Sequence, residues 1–119
     1  MGRHQVLERL GARFMGFGSV RAELADFGEY PGARPWWSDL ARVSGEVYEL
    51  PKPGKALEIL DRIEGVRRDQ PEESLFRRDV VEVLMQGGGR VEAWIYWINR
   101  PPKPGKPIPS GDYRKWKNG

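Results

Sequence analysis

Lys55-Ala56-Leu57-Glu58-Ile59-Leu60-Asp61-Arg62-Ile63-Glu64-Gly65 decides how this chain is read, because it holds the clearest helix and one charge that disobeys it. At about 100° per residue, Ala56, Ile59, Leu60 and Ile63 gather on one side, with Leu57 at the edge of that arc. Glu64 falls at roughly 80°, between Leu60 at roughly 40° and Leu57 at roughly 100°. Glu58, Asp61 and Arg62 lie outside the arc, where charges meet water, and Gly65 closes the helix. Glu64 is thus a carboxylate on the apolar stripe. It also sits in the last turn, where the macrodipole disfavours an anion by about 0.3–1 kcal/mol. Residues that break two local preferences at once gather at functional sites. Burial would raise the pKa of Glu64 towards neutrality, since desolvation penalises the charged form. A carboxyl tuned in this way can accept and return a proton near pH 7. The other reading is that Glu64, as the final residue of its helix, bends out to water; the wheel does not separate the two.

Working outward, Arg3 to Leu10 reads as a short helix with Val6, Leu7 and Leu10 on one side and Gly11 behind it. Arg13 to Val20 alternates Phe14, Gly16, Gly18 and Val20 with Arg13, Met15, Phe17 and Ser19, a strand whose glycines signal curvature or close backbone approach. Phe27 to Pro35 is turn-rich, with Pro31-Gly32 as its turn signal, and Trp36-Trp37 follows. Arg42 to Leu50 alternates again. Phe76 to Met85 and Arg90 to Ile98 are strands joined through Gln86-Gly87-Gly88-Gly89 as a hairpin. Trp94 to Ile98 is apolar on both faces, as in a sheet curled on itself or covered by a helix. Residues 100–109 hold five prolines, so that segment is extended before the chain ends through Ser110-Gly111-Asp112-Tyr113. The predicted class is α+β: one domain over residues 1–119, a small mixed, mostly antiparallel β-barrel with one or two helices packed against it.

Composition excludes several functions. A chain of 119 residues with 39% hydrophobic and 31% charged residues suits a single soluble domain. No apolar run approaches the roughly 20 residues that a bilayer-spanning helix needs, and no apolar segment follows Met1-Gly2-Arg3-His4-Gln5 as a secretory signal requires. Without cysteine there is no disulfide, thiol nucleophile or zinc–thiolate site, and a reducing cytoplasm is the expected compartment. The one histidine, His4, stands alone near the terminus, which argues against an imidazole metal site or a serine–histidine triad. The net charge of +3 owes much to Lys103, Lys106, Arg114, Lys115 and Lys117, a pattern more often solubilising than nucleic-acid-binding.

Leu60-Asp61-Arg62-Ile63-Glu64-Gly65 resembles the Leu-Asp-x-x-Glu-Gly motif of gamma-glutamyl cyclotransferase-like proteins, the group that includes gamma-glutamylamine cyclotransferases. Tyr30-Pro31-Gly32, Val43-Ser44-Gly45-Glu46-Val47-Tyr48, Phe76-Arg77-Arg78 with Val81 and Val83, Ala93-Trp94-Ile95-Tyr96, and Ile108-Pro109-Ser110-Gly111-Asp112-Tyr113 resemble its other motifs in order. The resemblance implies a small β-barrel and a reaction needing no cofactor. In that reaction the α-amine of a γ-glutamyl group attacks its own γ-carbonyl, expels an amine or amino acid and leaves 5-oxoproline. Glu64 maps onto the family's proton-accepting glutamate, and Tyr30, Gly32, Phe76 and Tyr96 are the candidate substrate-binding residues. The implied partner is a small γ-glutamyl molecule, with no membrane and no nucleic acid, for a monomer or homodimer. Two departures stand out. Family members open with a strand and a Tyr-Gly-Thr/Ser-Leu loop that holds the substrate carboxylate, and this chain resembles the segment just after it. Either the start lies upstream or the cradle has been lost. Phe76 also stands where many members carry tyrosine.

Other residues have competing readings. Tyr96 and Trp94 line a pocket or fill the core. Tyr30 shapes a pocket mouth or packs on the barrel. Arg78 meets a substrate carboxylate or pairs with surface acids such as Asp79 or Glu82. Trp36-Trp37 forms a binding face or a lid over the open end of the barrel. Two further functions compete with a cyclotransferase: an inactive relative that binds a small ligand or partner, and a small basic barrel that binds single-stranded nucleic acid.

Overall fold

The computed structural model describes residues 3–28, 30–67, 69–101 and 103–118. Met1 and Gly2 lie outside the described residues, as do the side chains of His4, Arg114 and Lys117. The elements run α1 (Arg3–Arg9), β1 (Arg13–Asp26), β2 (Pro31–Pro35), β3 (Arg42–Glu49), α2 (Pro53–Ile63), β4 (Phe76–Met85), β5 (Arg90–Ile98), β6 (Lys106–Pro107) and α3 (Tyr113–Asn118).

The spine is β1, and the alternation that makes it a strand does not stop at Val20. Ala22 and Leu24 continue the inward row while Arg21 and Glu23 face out, so the strand runs 14 residues, to Asp26. That length lets one strand pair antiparallel with four others: β2, β3, β4 and β6. Its register with β3 shifts between Phe14 and Gly16, a bulge that bends the strand. Gly18 then permits the crossing of β4, since a Cβ there would lie 2.5 Å from Val83 Cγ1. β4 touches β1 only at Gly18↔Met85 and Ser19↔Leu84, and carries β5 on its far edge.

The sheet is therefore curled and wholly antiparallel among the described residues, but it is not a closed barrel. Its path is β2-β1-β4-β5 with β3 and β6 on β1, and among the described residues no pairing joins β3 to β5. Curvature from Gly16 and Gly18 turns the two free edges towards one hollow without bringing them into hydrogen-bonding range. Val20, Ala22, Leu24, Ala33, Val83, Trp97 and Ile108 form the core inside the curl.

Two connecting segments are more ordered than their composition predicts. Pro31-Gly32 opens β2 instead of making a turn; the turn comes earlier, where Gly28 N–H donates to Asp26 Oδ1 at 2.8 Å. Pro31 and Pro35 are tolerated because they sit at the ends of a short strand. The proline-rich tail pairs with β1, buries Ile108 and ends in α3. Asp112 Oδ1 accepts the Lys115 N–H at 3.2 Å as an N-cap does, and Trp116 Nε1 donates to Asp26 Oδ2 at 2.8 Å. No helix among the described residues is long and apolar enough to cross a membrane.

Gly111 holds this tail in place. It has φ +66, and a Cβ there would collide with the Arg42 carbonyl, whereas Gly87 has open space around it. Gly111→Ala should lower the unfolding free energy by about 2 kcal/mol or more. Gly87→Ala should change it by less than about 0.5 kcal/mol. Urea melts of the two variants compare them directly.

Candidate functional site

The C-terminus of α2 is closed by backbone bonds that leave its last side chains no freedom to unwind. Gly65 N–H donates to Arg62 O at 3.2 Å and Val66 N–H to Asp61 O at 2.9 Å, with Gly65 at φ +69. This is a Schellman closure, and the positive φ is why glycine stands there. Held so, Glu64 turns inward and is 4% exposed. The reading in which it bends into water is thereby removed.

Asp61, one turn earlier, is also buried, at 5% exposed, whereas the helical wheel puts it among the outward charges. The same rotation leaves Ile63 50% exposed. The helix is rolled so that its acidic flank, rather than its isoleucine, meets the sheet. The reason lies on β4 and β5. Tyr96 Oη donates to Asp61 Oδ1 at 2.6 Å, and Arg78 Nη1 lies 3.6 Å from the same oxygen. Arg78 Nη1 is buried and makes no hydrogen bond among the described residues, so the ion pair is its compensation. Arg78 thus pairs with a buried acid on α2 and not with Asp79 or Glu82 on its own strand.

Beneath Glu64 lies a cavity of about 720 Å³, walled by α2, by residues of β1, β2 and β4, by Val43 to Glu49 of β3 and by Val91 to Tyr96 of β5. Glu64, Gly32, Phe76 and Tyr96 all line it. Gly32 has no room for a side chain, since a Cβ would lie 2.8 Å from Phe27 Cε2. Tyr30 is not among the lining residues. Its ring stacks on Phe27 at 5.8 Å and leans on Phe76 at 5.8 Å, so it backs the wall from behind. Trp36 and Trp37 pack on each other at 5.9 Å away from the cavity, and Trp37 is 77% exposed. They do not form a lid. The lining is largely aliphatic and aromatic, with Glu46, Glu49, Glu64 and Glu92 as its carboxylates. A sheltered carboxyl against such a surface is suited to moving a proton on a small molecule held there.

The profile of the family described as gamma-glutamyl cyclotransferase, AIG2-like, matches residues 1–115. The chain belongs to that family. Solved structures carry the same fold. An uncharacterized protein from Pyrococcus horikoshii matches at 25% identity with a TM-score of 0.62, over 97% of this chain and 80% of that one. A uropathogenic E. coli-specific protein matches at 16% identity with a TM-score of 0.65, over 99% and 86%. The allophanate hydrolase of Kluyveromyces lactis matches at 14% identity with a TM-score of 0.64, over 99% of this chain but 19% of that one. At these identities the last two share the fold alone. No curated protein matches.

In this gamma-glutamyl cyclotransferase-family chain, the residue that sequence reasoning missed is Asp61. Its signal was faint: it falls only about 40° beyond Leu57 on the wheel. Tyr96 reports on it. Burial, then the hydrogen bond and charge of Asp61, push the Tyr96 phenol above its ordinary value; Arg78 opposes this and Glu64 adds to it. A raised phenol favours folding of the neutral form, so its stabilisation is intact below about pH 10 and is lost as the pH rises through the folded value. Stability to urea should therefore fall from about pH 10 upward, and less steeply in Tyr96→Phe. Identical slopes in the two proteins would contradict the Tyr96–Asp61 bond.

Proposed function

We propose that this protein is a gamma-glutamyl cyclotransferase that converts a γ-glutamyl amine or dipeptide into 5-oxoproline and a free amine, with Glu64 as general base. The observation that carries this is a carboxyl 4% exposed at the wall of a cavity of about 720 Å³. Such a volume falls within the roughly 300–1,000 Å³ typical of small-molecule sites.

The chemistry asks little of the protein beyond placement. The α-nitrogen and the γ-carbonyl carbon belong to one substrate, so curling that substrate converts the attack into a five-membered ring closure. The α-nitrogen bonds to the carbonyl carbon, and the bond from that carbon to the leaving nitrogen breaks. One proton must leave the attacking nitrogen and one must reach the departing nitrogen. Glu64 takes the first and returns it as the second, which restores the enzyme without any cofactor. Gly32, Phe76 and Tyr96 line the part of the cavity in which the folded substrate would lie. The compartment that suits a cysteine-free enzyme of this kind is the cytoplasm.

Glu64→Gln keeps the size and the buried position but cannot accept a proton. It should lower 5-oxoproline release from γ-glutamyl amines and dipeptides by about 10²-fold or more, because general base catalysis contributes roughly 10²–10⁴-fold. Chromatographic quantification of 5-oxoproline measures this, and an unchanged rate in a folded variant would refute the assignment.

A further inference from the structure

The hollow is fronted by backbone as much as by side chains. Val43 to Leu50 and Val91 to Tyr96 line it without a gap in either run. Side chains on a strand alternate between two faces, so consecutive residues reach one space only where the strand presents its edge. β5 ends the path β2-β1-β4-β5, and among the described residues no strand pairs with its outer edge. The bond from Met85 N–H to Gly89 O sets which amides face that way. By the antiparallel alternation that follows, Val91, Ala93 and Ile95 bond to β4, while Glu92, Trp94 and Tyr96 turn N–H and C=O towards the hollow.

Charge narrows what can lie along that edge. Among the described residues no lysine, arginine or histidine lines the cavity, whereas Glu46, Glu49, Glu64 and Glu92 do. Glu46, Glu49 and Glu92 are exposed on the two facing strands, and Glu64 is buried deeper. The Arg13 guanidinium nearby is committed to Glu49 at 3.0 Å. A free γ-glutamyl amine carries an α-carboxylate, which meets only like charges in this lining. The same reacting atoms occur without that carboxylate in a peptide that begins with glutamine, because there the α-carboxyl is consumed in the first peptide bond. The chain beyond the first residue then supplies the donors and acceptors that an open strand edge pairs with.

We propose that the site also acts on the N-terminal glutamine of a peptide, which lies as an added strand along β5 from Tyr96 towards Glu92 and becomes a pyroglutamyl peptide and ammonia. The inference rests on Glu64 being the base and keeps the same ring closure. The α-nitrogen of the glutamine bonds to its side-chain carbonyl carbon, and the bond from that carbon to the amide nitrogen breaks. Glu64 takes one proton from the α-nitrogen and returns it to the departing nitrogen, which leaves as ammonia. Tyr96 marks the end of the edge nearest the base, since the Glu64 charge acts on its phenol. Further along, the aliphatic lining and the carboxylates of Glu46 and Glu92 suit a peptide that alternates apolar and basic residues.

The test compares Gln-Leu-Lys-Leu amide with γ-glutamyl propylamide, following pyroglutamyl peptide and 5-oxoproline by mass spectrometry, with Glu64→Gln as the control for spontaneous closure. The peptide should be cyclised with a kcat/KM about tenfold or more above that of the propylamide. Methylating a backbone nitrogen of the peptide removes one donor without touching the protein. It should cost about tenfold at either the second or the third residue and little at the other, because alternate residues face β5. Adding the peptide to the Glu64→Gln protein should slow hydrogen exchange at the Glu92, Trp94 and Tyr96 amides. Cyclisation no faster than in Glu64→Gln, or equal losses at the two methylated positions, overturns the proposal. Release of 5-oxoproline from the propylamide beside an unreacted peptide refutes this proposal alone. Cyclisation of the peptide beside an inert propylamide upholds it and refutes the reading of free γ-glutamyl amines as substrates. Inertness towards both refutes both.

Discussion

One ion pair governs the geometry of this molecule: the buried Asp61 on α2 against the half-buried Arg78 on β4, with the Tyr96 hydroxyl sharing the same carboxylate oxygen. Burying a carboxylate is expensive unless a cation and a hydrogen-bond donor reach it. A helix with an apolar stripe alone could roll or slide on an aliphatic sheet at little cost. A helix with this acid must sit where the guanidinium and the phenol can reach it. That choice of roll turns Ile63 halfway out and turns Glu64 fully in. The Schellman closure at Gly65 then prevents the last turn from fraying and releasing Glu64.

The sheet supplies the other half of the arrangement. Because β1 is long and bent, it can hold β3 and β4 along its first half and β2 and β6 along its second. The bend also keeps β3 and β5 apart, so a hollow remains inside the curl beside the packed core. The hollow is floored by aliphatic residues and bounded by Phe76, which Tyr30 and Phe27 brace from the far side. The C-terminal segment clasps this assembly: Gly111 O accepts from Ser44 N–H at 3.0 Å, and Trp116 reaches back to Asp26. The basic tail is thus part of the fold, with the Lys106 ammonium 5.4 Å from the Trp116 ring centroid.

Much of this was legible from residue patterns, and the misses share one cause. β4 and β5 declared themselves with the boundaries expected, because their alternation and their glycine hairpin are local signals. Glu64 declared itself because a charge on an apolar arc is visible on one helix alone. Asp61 did not, since its burial is caused by Arg78 and Tyr96, residues 17 and 35 positions away by their numbers. The barrel became an open curl because closure depends on which edges meet, and alternation within a strand says nothing of that. Pro31-Gly32 misled for a similar reason: those residues suit a turn by themselves, but β1 offers them an edge to pair with. Tyr30 belongs to the same group, its side of the wall being set by the stacking of Phe27 behind it.

The central claim is that a small γ-glutamyl molecule sits in the hollow with its reacting nitrogen against Glu64. It is tested most directly by amide NMR of the Glu64→Gln protein, which cannot turn over, titrated with a γ-glutamyl amide. The account predicts saturable shifts concentrated at Gly32, Phe76, Tyr96 and position 64, with Trp37 and Leu40 unmoved. Shifts confined to the exposed Trp37–Leu40 surface, or none at millimolar ligand, would contradict it.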